Sequence, residues 1–159
     1  MATVTKKRLN QAQQFTACYG NKFAQVFRFE TNASGVCVDS SQATAVQVND
    51  IVRIGILPAG LELHDALAII SDAFAASTTA DLGFAYVDGV DSTAVPQDAD
   101  YFFAALATSA VGRTRANNTA VAPLRLPKDA YLILTRKGAA DSAAGIVDVV
   151  VEGLLTGAN

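Results

Sequence analysis

Apolar and polar side chains alternate at period two in several short segments of this chain, and this pattern constrains the fold more than any other feature. It is clearest near the C-terminus, where Val147, Val149 and Val151 alternate with Asp148 and Glu152. Successive side chains of a β-strand point to opposite faces, so this segment predicts a strand with one face in the core and the other toward solvent. The three valines are therefore candidate core residues.

Other segments have strand-like patterns, with turn residues between them. They are residues 23–30, 43–48, 51–57, 61–70, 81–87 and 131–134. In the segment 61–70, alternation places Leu61, Leu63, Leu67 and Ile69 on one face. We expect about eight short strands in all, which is typical of an all-β sandwich or barrel.

A segment in the second half of the chain carries a different pattern. Phe102, Phe103 and Leu106 fall on one stripe at helical spacing, and Asp98 or Asp100 precedes them as a candidate N-cap. We predict one or two helical turns here, within a loop. The alternative is an irregular loop that contributes the same three side chains to the core.

The start of the chain is polar and basic, and it contains few large apolar groups. Lys6, Lys7 and Arg8 form a cluster of positive charge. We expect residues 1–15 to form a flexible N-terminal arm outside the core, followed by a single β-sandwich domain over residues 16–159. The arm is either a solvated chain end or a segment that orders only against a partner.

Charge is distributed unevenly along the sequence. Residues 54–112 contain eight acidic residues and no Lys or Arg, whereas residues 113–137 contain six basic residues and one acidic residue. These stretches either form surface regions of opposite charge or mix again in the fold. An isoelectric point near 5.0 disfavours nucleic acid as a partner. The longest strongly apolar uncharged stretch has twelve residues, too few to span a membrane, which needs about 20.

The chain has two cysteines, Cys18 and Cys37. Two cysteines do not make a disulfide scaffold, and neither lies in a CxxC pair. The start of the sequence has no apolar stretch that resembles a signal peptide, so we expect synthesis in a reducing cytoplasm and two free thiols. A bond between the two cysteines is the alternative if the protein later leaves a lysed cell.

Residues that could carry catalysis are sparse. His64 is the only histidine, and a zinc, copper or iron site built from several histidines cannot form from one. Asp65 is its neighbour on a predicted strand, so the two side chains point to opposite faces. No phosphate loop, dinucleotide fingerprint or nucleophile elbow is present. We expect no enzymatic activity and no cofactor.

An acidic cluster is the one candidate for a hard cation. Asp88, Asp91, Asp98 and Asp100 could supply part of the oxygen shell that calcium requires. Their spacing does not match an EF-hand loop. Asp-Gly is also a turn signal, and Asp98 or Asp100 is a candidate helix cap. These structural roles are favoured, and we predict no metal site.

The stretch 54–157 resembles a known family in its order of turns and strands. It reads Ile-Gly-Ile-Leu-Pro-Ala-Gly-Leu at 54–61, Asp-Leu-Gly-Phe-Ala-Tyr at 81–86, Asp-Ala-Asp-Tyr-Phe-Phe at 98–103, Leu-Pro at 126–127, Ala-Tyr-Leu-Ile-Leu-Thr at 130–135 and Gly-Ile-Val-Asp-Val-Val-Val-Glu-Gly at 145–153. This order is similar to that of the capsid cement, or decoration, proteins of tailed bacteriophages, in particular the Bordetella-phage cement-protein type. The likeness covers about two thirds of the chain.

The resemblance implies a jelly-roll β-sandwich on the outer surface of an icosahedral phage head, made in the host bacterial cytoplasm. Proteins of this kind clamp neighbouring major capsid subunits after the shell expands, and they carry no enzymatic residues. The major capsid protein is then the partner, and loops and termini form the contacts. Symmetric sites on a shell favour a symmetric oligomer, so we also expect a homo-oligomer, dimer or trimer.

Charged side chains in the arm and loops are the candidate capsid or oligomer contacts. They are Lys6, Lys7, Arg8, Asp88, Asp91, Arg113 and Arg115. A second hypothesis is a carbohydrate- or receptor-binding jelly-roll module of a virion. That module requires exposed aromatic side chains clustered in loops, whereas this chain has no Trp and its four Tyr are dispersed along the sequence.

Overall fold

A computed structural model describes residues 1–6 and 21–156, and these residues form ten β-strands and no helix. The strands are β1 (Thr3–Thr5), β2 (Lys22–Thr31), β3 (Ile51–Leu57), β4 (Leu61–Asp72), β5 (Thr79–Tyr86), β6 (Asp98–Ala107), β7 (Gly112–Arg115), β8 (Leu124–Arg125), β9 (Ala130–Lys137) and β10 (Gly145–Leu155). None of these residues forms a helix that is long and apolar enough to cross a lipid bilayer.

Two sheets enclose the core. One has the order β1-β3-β9-β5-β6. The other follows the path β2-β10-β4-β7, with the two-residue strand β8 as a fifth member paired to β4, and we refer to it by its path as the four-stranded sheet. All pairings between the described strands are antiparallel except that of β1 with β3. With β1 and β8 set aside, successive strands cross from one sheet to the other, except that β5 and β6 are neighbours in the same sheet. This is the jelly-roll order. The predicted all-β sandwich is confirmed.

The core is filled by the inward faces of both sheets. Val147, Val149 and Val151 on β10 are each 0% exposed, so the alternation predicted for this strand is confirmed. Asp148 lies on the opposite face, where its Oδ1 accepts a hydrogen bond from Nε of Arg28 at 2.8 Å. The strand therefore has the register that its sequence indicates.

In β4 the predicted face assignment holds for only half of the strand. Leu61 and Leu63 are buried as expected, but Leu67 and Ile69 lie on the outer face. The register against β10 shifts at this point, where Glu152 pairs with Asp65 and the next residue pairs with Leu63. His64 is the extra residue of a β-bulge, and one extra residue reverses the faces of everything that follows it.

The predicted helical turn over Asp98 to Leu106 is wrong, because this segment is strand β6. Phe102, Phe103 and Leu106 are all buried, as predicted for core anchors. They do not alternate because the strand is irregular. Ala105 has a φ of 55°, and its N–H donates to Oδ1 of Asp81 at 2.8 Å. The extra residue at this point allows Phe103 and Leu106, three positions apart, to enter the core together. A second register shift, between the partners of Leu82 and Phe84, lies where Phe102 precedes Phe103.

The segment 43–48 does not form one of the ten strands, in contrast to the prediction. It makes only an isolated bridge, between Ala45 and Val36. Asn49, with a φ of 69°, turns the chain directly afterwards. Val46 is nevertheless 0% exposed, so the segment contributes to the core as a loop.

The N-terminus differs in part from the arm expected over residues 1–15. Val4 on β1 is 1% exposed and belongs to the core, and the N–H of Ala2 donates to Oδ1 of Asp50 at 2.6 Å. The first six residues are therefore part of the sandwich. Residues 7–15, with Lys7 and Arg8, lie outside the described residues.

Candidate functional site

His64 and Asp65, the nearest approach to a catalytic pair in the sequence, have separate partners. Nε2 of His64 lies 3.0 Å from Oε1 of Glu62, while Oδ2 of Asp65 accepts a hydrogen bond from Nε of Arg115 at 2.7 Å. Across residues 1–6 and 21–156, no three His, Cys, Asp or Glu side chains converge on a possible metal position.

The loop between β5 and β6 holds the first predicted contact residues. Asp88 accepts two hydrogen bonds from Nζ of Lys128, at 2.7 and 3.0 Å, and this interaction lowers the pKa of its carboxyl group. Oδ1 of Asp91 accepts the N–H groups of Ser92 and Gln97, each at 2.8 Å. Both acids are exposed, but both also hold the loop in shape.

Asp98 and Asp100 lie together on β6, whereas Asp88 lies in the preceding loop and contacts Lys128. The hydrogen bond between the two carboxyl groups is the main cause that raises the pKa of Asp100, followed by burial. Asp98 also lines an apolar groove of about 360 Å³, whose walls include Val95 and Val121. The four acids of the predicted cluster therefore do not converge on one position.

The basic edge strand β7 carries Arg113 and Arg115. All four of its residues are exposed. Arg115 pairs with Asp65, which raises the pKa of the guanidinium group. Arg113 has no ion-pair partner among the described residues, and it lies at the edge of the four-stranded sheet.

Charge segregation in the sequence is cancelled in part by ion pairs in the fold. Basic residues of 113–137 pair with acidic residues of 54–112: Arg115 with Asp65, Lys128 with Asp88 and Lys137 with Asp81. The surface thus combines the two stretches instead of separating them. Arg113 is the exposed basic residue of this stretch for which the described residues provide no such partner.

The predicted contact residues do not form one cluster. Nζ of Lys6 donates to the backbone oxygen of Arg28 at 2.6 Å, which places it against β2. Arg113 and Arg115 lie on β7, and β2 and β7 are the opposite edges of the four-stranded sheet. Lys7 and Arg8 are outside the described residues.

A row of aliphatic side chains crosses the outer face of the four-stranded sheet. Val26, Val150 and Leu67 are in register on neighbouring strands, and the row ends at Arg115. Val26 is 57% exposed. Sequence reasoning missed this row because it placed Leu67 in the core. The bulge at His64 moves Leu67 to the outside, and no sequence signal marks the position of that bulge.

Solved structures with a similar fold include two phage capsid chains. A chain in the capsid of Ralstonia phage GP4 matches with a TM-score of 0.65 at 14% identity, over 99% of this chain and 100% of that chain. A chain in the capsid asymmetric unit of cyanophage Pam1 matches with a TM-score of 0.53 at 17% identity, over 92% of this chain and 96% of that chain. No protein-family model and no curated protein matches the sequence. At sequence identities this low, the structural likeness establishes a shared fold and nothing more.

Proposed function

We propose that this chain is a capsid cement protein, which binds the outer surface of a tailed-phage head and stabilises contacts between major capsid subunits. The observation that carries the proposal is the full-length likeness to a chain from the capsid of Ralstonia phage GP4, with a TM-score of 0.65. The family resemblance in the sequence supports the same role independently. Fold alone does not establish function, so the surface must also fit.

The described surface suits a protein partner better than a small ligand. Val90 and Val111, in two different loops, are 61% and 66% exposed, and Val26 on the sheet face is 57% exposed. Aliphatic side chains distributed in this way favour several modest contacts with neighbouring proteins. Tyr86 and Tyr101 are buried, so they cannot form the exposed aromatic platform of a carbohydrate-binding module.

Attachment through several weak contacts gains strength when the contacts are linked. The protein therefore binds as a homo-oligomer, a dimer or a trimer, with the major capsid protein as its partner. Arg113 is the strongest of the candidate contacts because no residue in the described ranges forms an ion pair with it. Asp88 and Arg115 already form ion pairs, and Asp91 shapes its own loop.

Co-sedimentation with purified phage heads tests the proposal. The protein should sediment with expanded heads and not with unexpanded proheads, and decorated heads should resist heat or urea better than bare heads. Protease should remove the bound protein while the shell stays intact, as expected for a protein on the outer surface. A protein that binds neither form, or binds without changing head stability, contradicts the cement role.

A further inference from the structure

Among residues 1–6 and 21–156, one side of the β7 backbone has no paired strand. Strand β7 pairs with β4 on its other side, with Arg113 opposite Ile69 and Arg115 opposite Leu67. The N–H of Ala116 donates to the oxygen of Ala66 at 2.8 Å. In an antiparallel ladder, residues alternate between those that bond to the neighbour and those that point away. Since residue 116 bonds to β4, residues 114 and 112 do so as well.

The N–H and C=O groups of Arg113 and Arg115 consequently point away from the sheet. No backbone partner for these four groups is found among residues 1–6 and 21–156. Nothing lies within 4 Å of the position that a Cβ on Gly112 would take. The adjoining Val111 is 66% exposed. An open edge and an exposed aliphatic side chain thus lie side by side.

Charge limits what can pair with this edge. Short length and positive charge are devices by which edge strands avoid pairing with copies of themselves. If β7 of a second copy were added antiparallel, arginines would face arginines, and like charges opposite each other are destabilising. A strand with acidic side chains meets no such barrier. Arg113 offers it a charge without a partner, whereas Arg115 is already paired with Asp65.

We propose that β7 receives an extended acidic segment of the capsid partner as an added strand of the four-stranded sheet. The segment places a carboxylate opposite Arg113 and an apolar side chain against Val111. Its backbone bonds to the outward groups of Arg113 and Arg115, the mode of binding known as β-augmentation. This inference rests on the proposed function, because it takes the major capsid protein as the partner.

Proline at position 113 provides a selective test. Arg113→Pro removes the outward N–H, which β4 does not use, and proline is tolerated on an edge strand when its nitrogen faces solvent. Arg113→Ala is the matched control, since it removes the same charge and keeps the N–H. Both variants should retain the wild-type melting temperature. Affinity for expanded heads should fall several-fold for Arg113→Ala, and about tenfold further for Arg113→Pro, because a backbone acceptor of the partner is left unpaired.

Amide hydrogen exchange on decorated heads supplies a second measurement. In peptides that cover residues 111–115, the outward amides of Arg113 and Arg115 should exchange quickly in the free protein and become protected on heads, while the amide of Thr114, bonded to β4, should be protected in both states. Wild-type protein that binds heads without this protection, or Arg113→Pro that binds as well as Arg113→Ala, overturns the inference and leaves the cement function standing. Wild-type protein that does not bind heads overturns both. Protection of the Arg113 and Arg115 amides in the free protein at high concentration would instead identify a second copy as the occupant, which also overturns it.

Discussion

The guanidinium of Arg136 and the carboxylate of Asp141 form an ion pair inside the sandwich, with 2.9 Å between Nη2 and Oδ2 and with both side chains 0% exposed. The guanidinium carbon lies 4.8 Å from the ring centre of Phe74 and 5.6 Å from that of Phe29. Nη1 also donates to Oγ1 of Thr108 at 2.8 Å. Burial raises the pKa of Asp141 to about 6, against the opposing effect of Arg136. The pair links β9 to Phe29 on β2 of the opposite sheet and to Phe74 in the loop that follows β4.

Breaking this buried pair should destabilise the protein strongly. Arg136→Ala leaves the carboxylate of Asp141 buried without its partner, and we expect the free energy of unfolding to fall by about 3–5 kcal/mol. The matched control is Arg28→Ala, which breaks the pair of Arg28 with Asp148, whose side chains are 54% and 18% exposed. That loss should stay within about 1 kcal/mol. Urea unfolding followed by circular dichroism measures both, and equal losses would contradict the argument.

Substitutions at two neighbouring residues of β10 should lower the stability of the protein by very different amounts. Val149 is 0% exposed, so Val149→Asp buries an unpaired carboxylate and should cost several kcal/mol, a large part of a typical total stability of about 5–15 kcal/mol. Asp148→Asn weakens the pair of Asp148 with Arg28 on the outer face and should cost no more than about 1 kcal/mol. Thermal melts compare the two variants. Similar melting temperatures would mean that the register of β10 is wrong.

Near the N-terminus, Val4 should contribute to the stability of the fold, whereas Lys7 and Arg8 should contribute to head binding. Val4→Asp should lower the melting temperature, because Val4 is 1% exposed in the core and burial of a valine contributes about 1.5–3 kcal/mol. The double variant Lys7→Ala with Arg8→Ala should melt like the wild type and bind heads more weakly. Both variants keep the number of residues between β1 and β2, so neither result can be due to a shortened connection. Weaker melting of the double variant with normal head binding would refute this division.

The sequence predicted the strands best where burial and alternation coincide. Val149 and its neighbours follow the pattern because β10 is central in its sheet and regular at that point. The alternation assigns Leu67 to the wrong face because the β-bulge at His64, three residues earlier, reverses the faces of the residues that follow. In the sequence, His64 looks like any other strand residue. Val4 was missed because a single apolar residue in a polar stretch has no period. Ion pairs between residues far apart in the chain decide which basic side chains keep an unpaired charge, and the local sequence around Arg113 does not show these pairs.

The thiol of Cys37 should react slowly in the folded protein. The side chain is 3% exposed, and burial raises its pKa to about 11. At pH 8 only about one thiol in a thousand is then ionised, and the thiolate is the reactive form. In a Cys18→Ser variant, which leaves Cys37 as the remaining thiol, an aromatic disulfide reagent should label the native protein slowly and the urea-unfolded protein at once. Equal rates would show that this part of the core is open.

Self-association and salt dependence are predicted together, because a homo-oligomer held on a shell uses many weak contacts at once. Static light scattering should give the mass of a dimer or trimer for the free protein. Head binding should weaken as salt rises, since the screening length falls from about 10 Å at 0.1 M to about 3 Å at 1 M. The dependence should be modest, because Arg115, Lys128 and Lys137 are already paired within the chain. Arg113→Ala should reduce it further, since it removes the exposed charge that those internal pairs leave free. A monomer that binds heads equally at both salt concentrations would contradict both parts of this prediction.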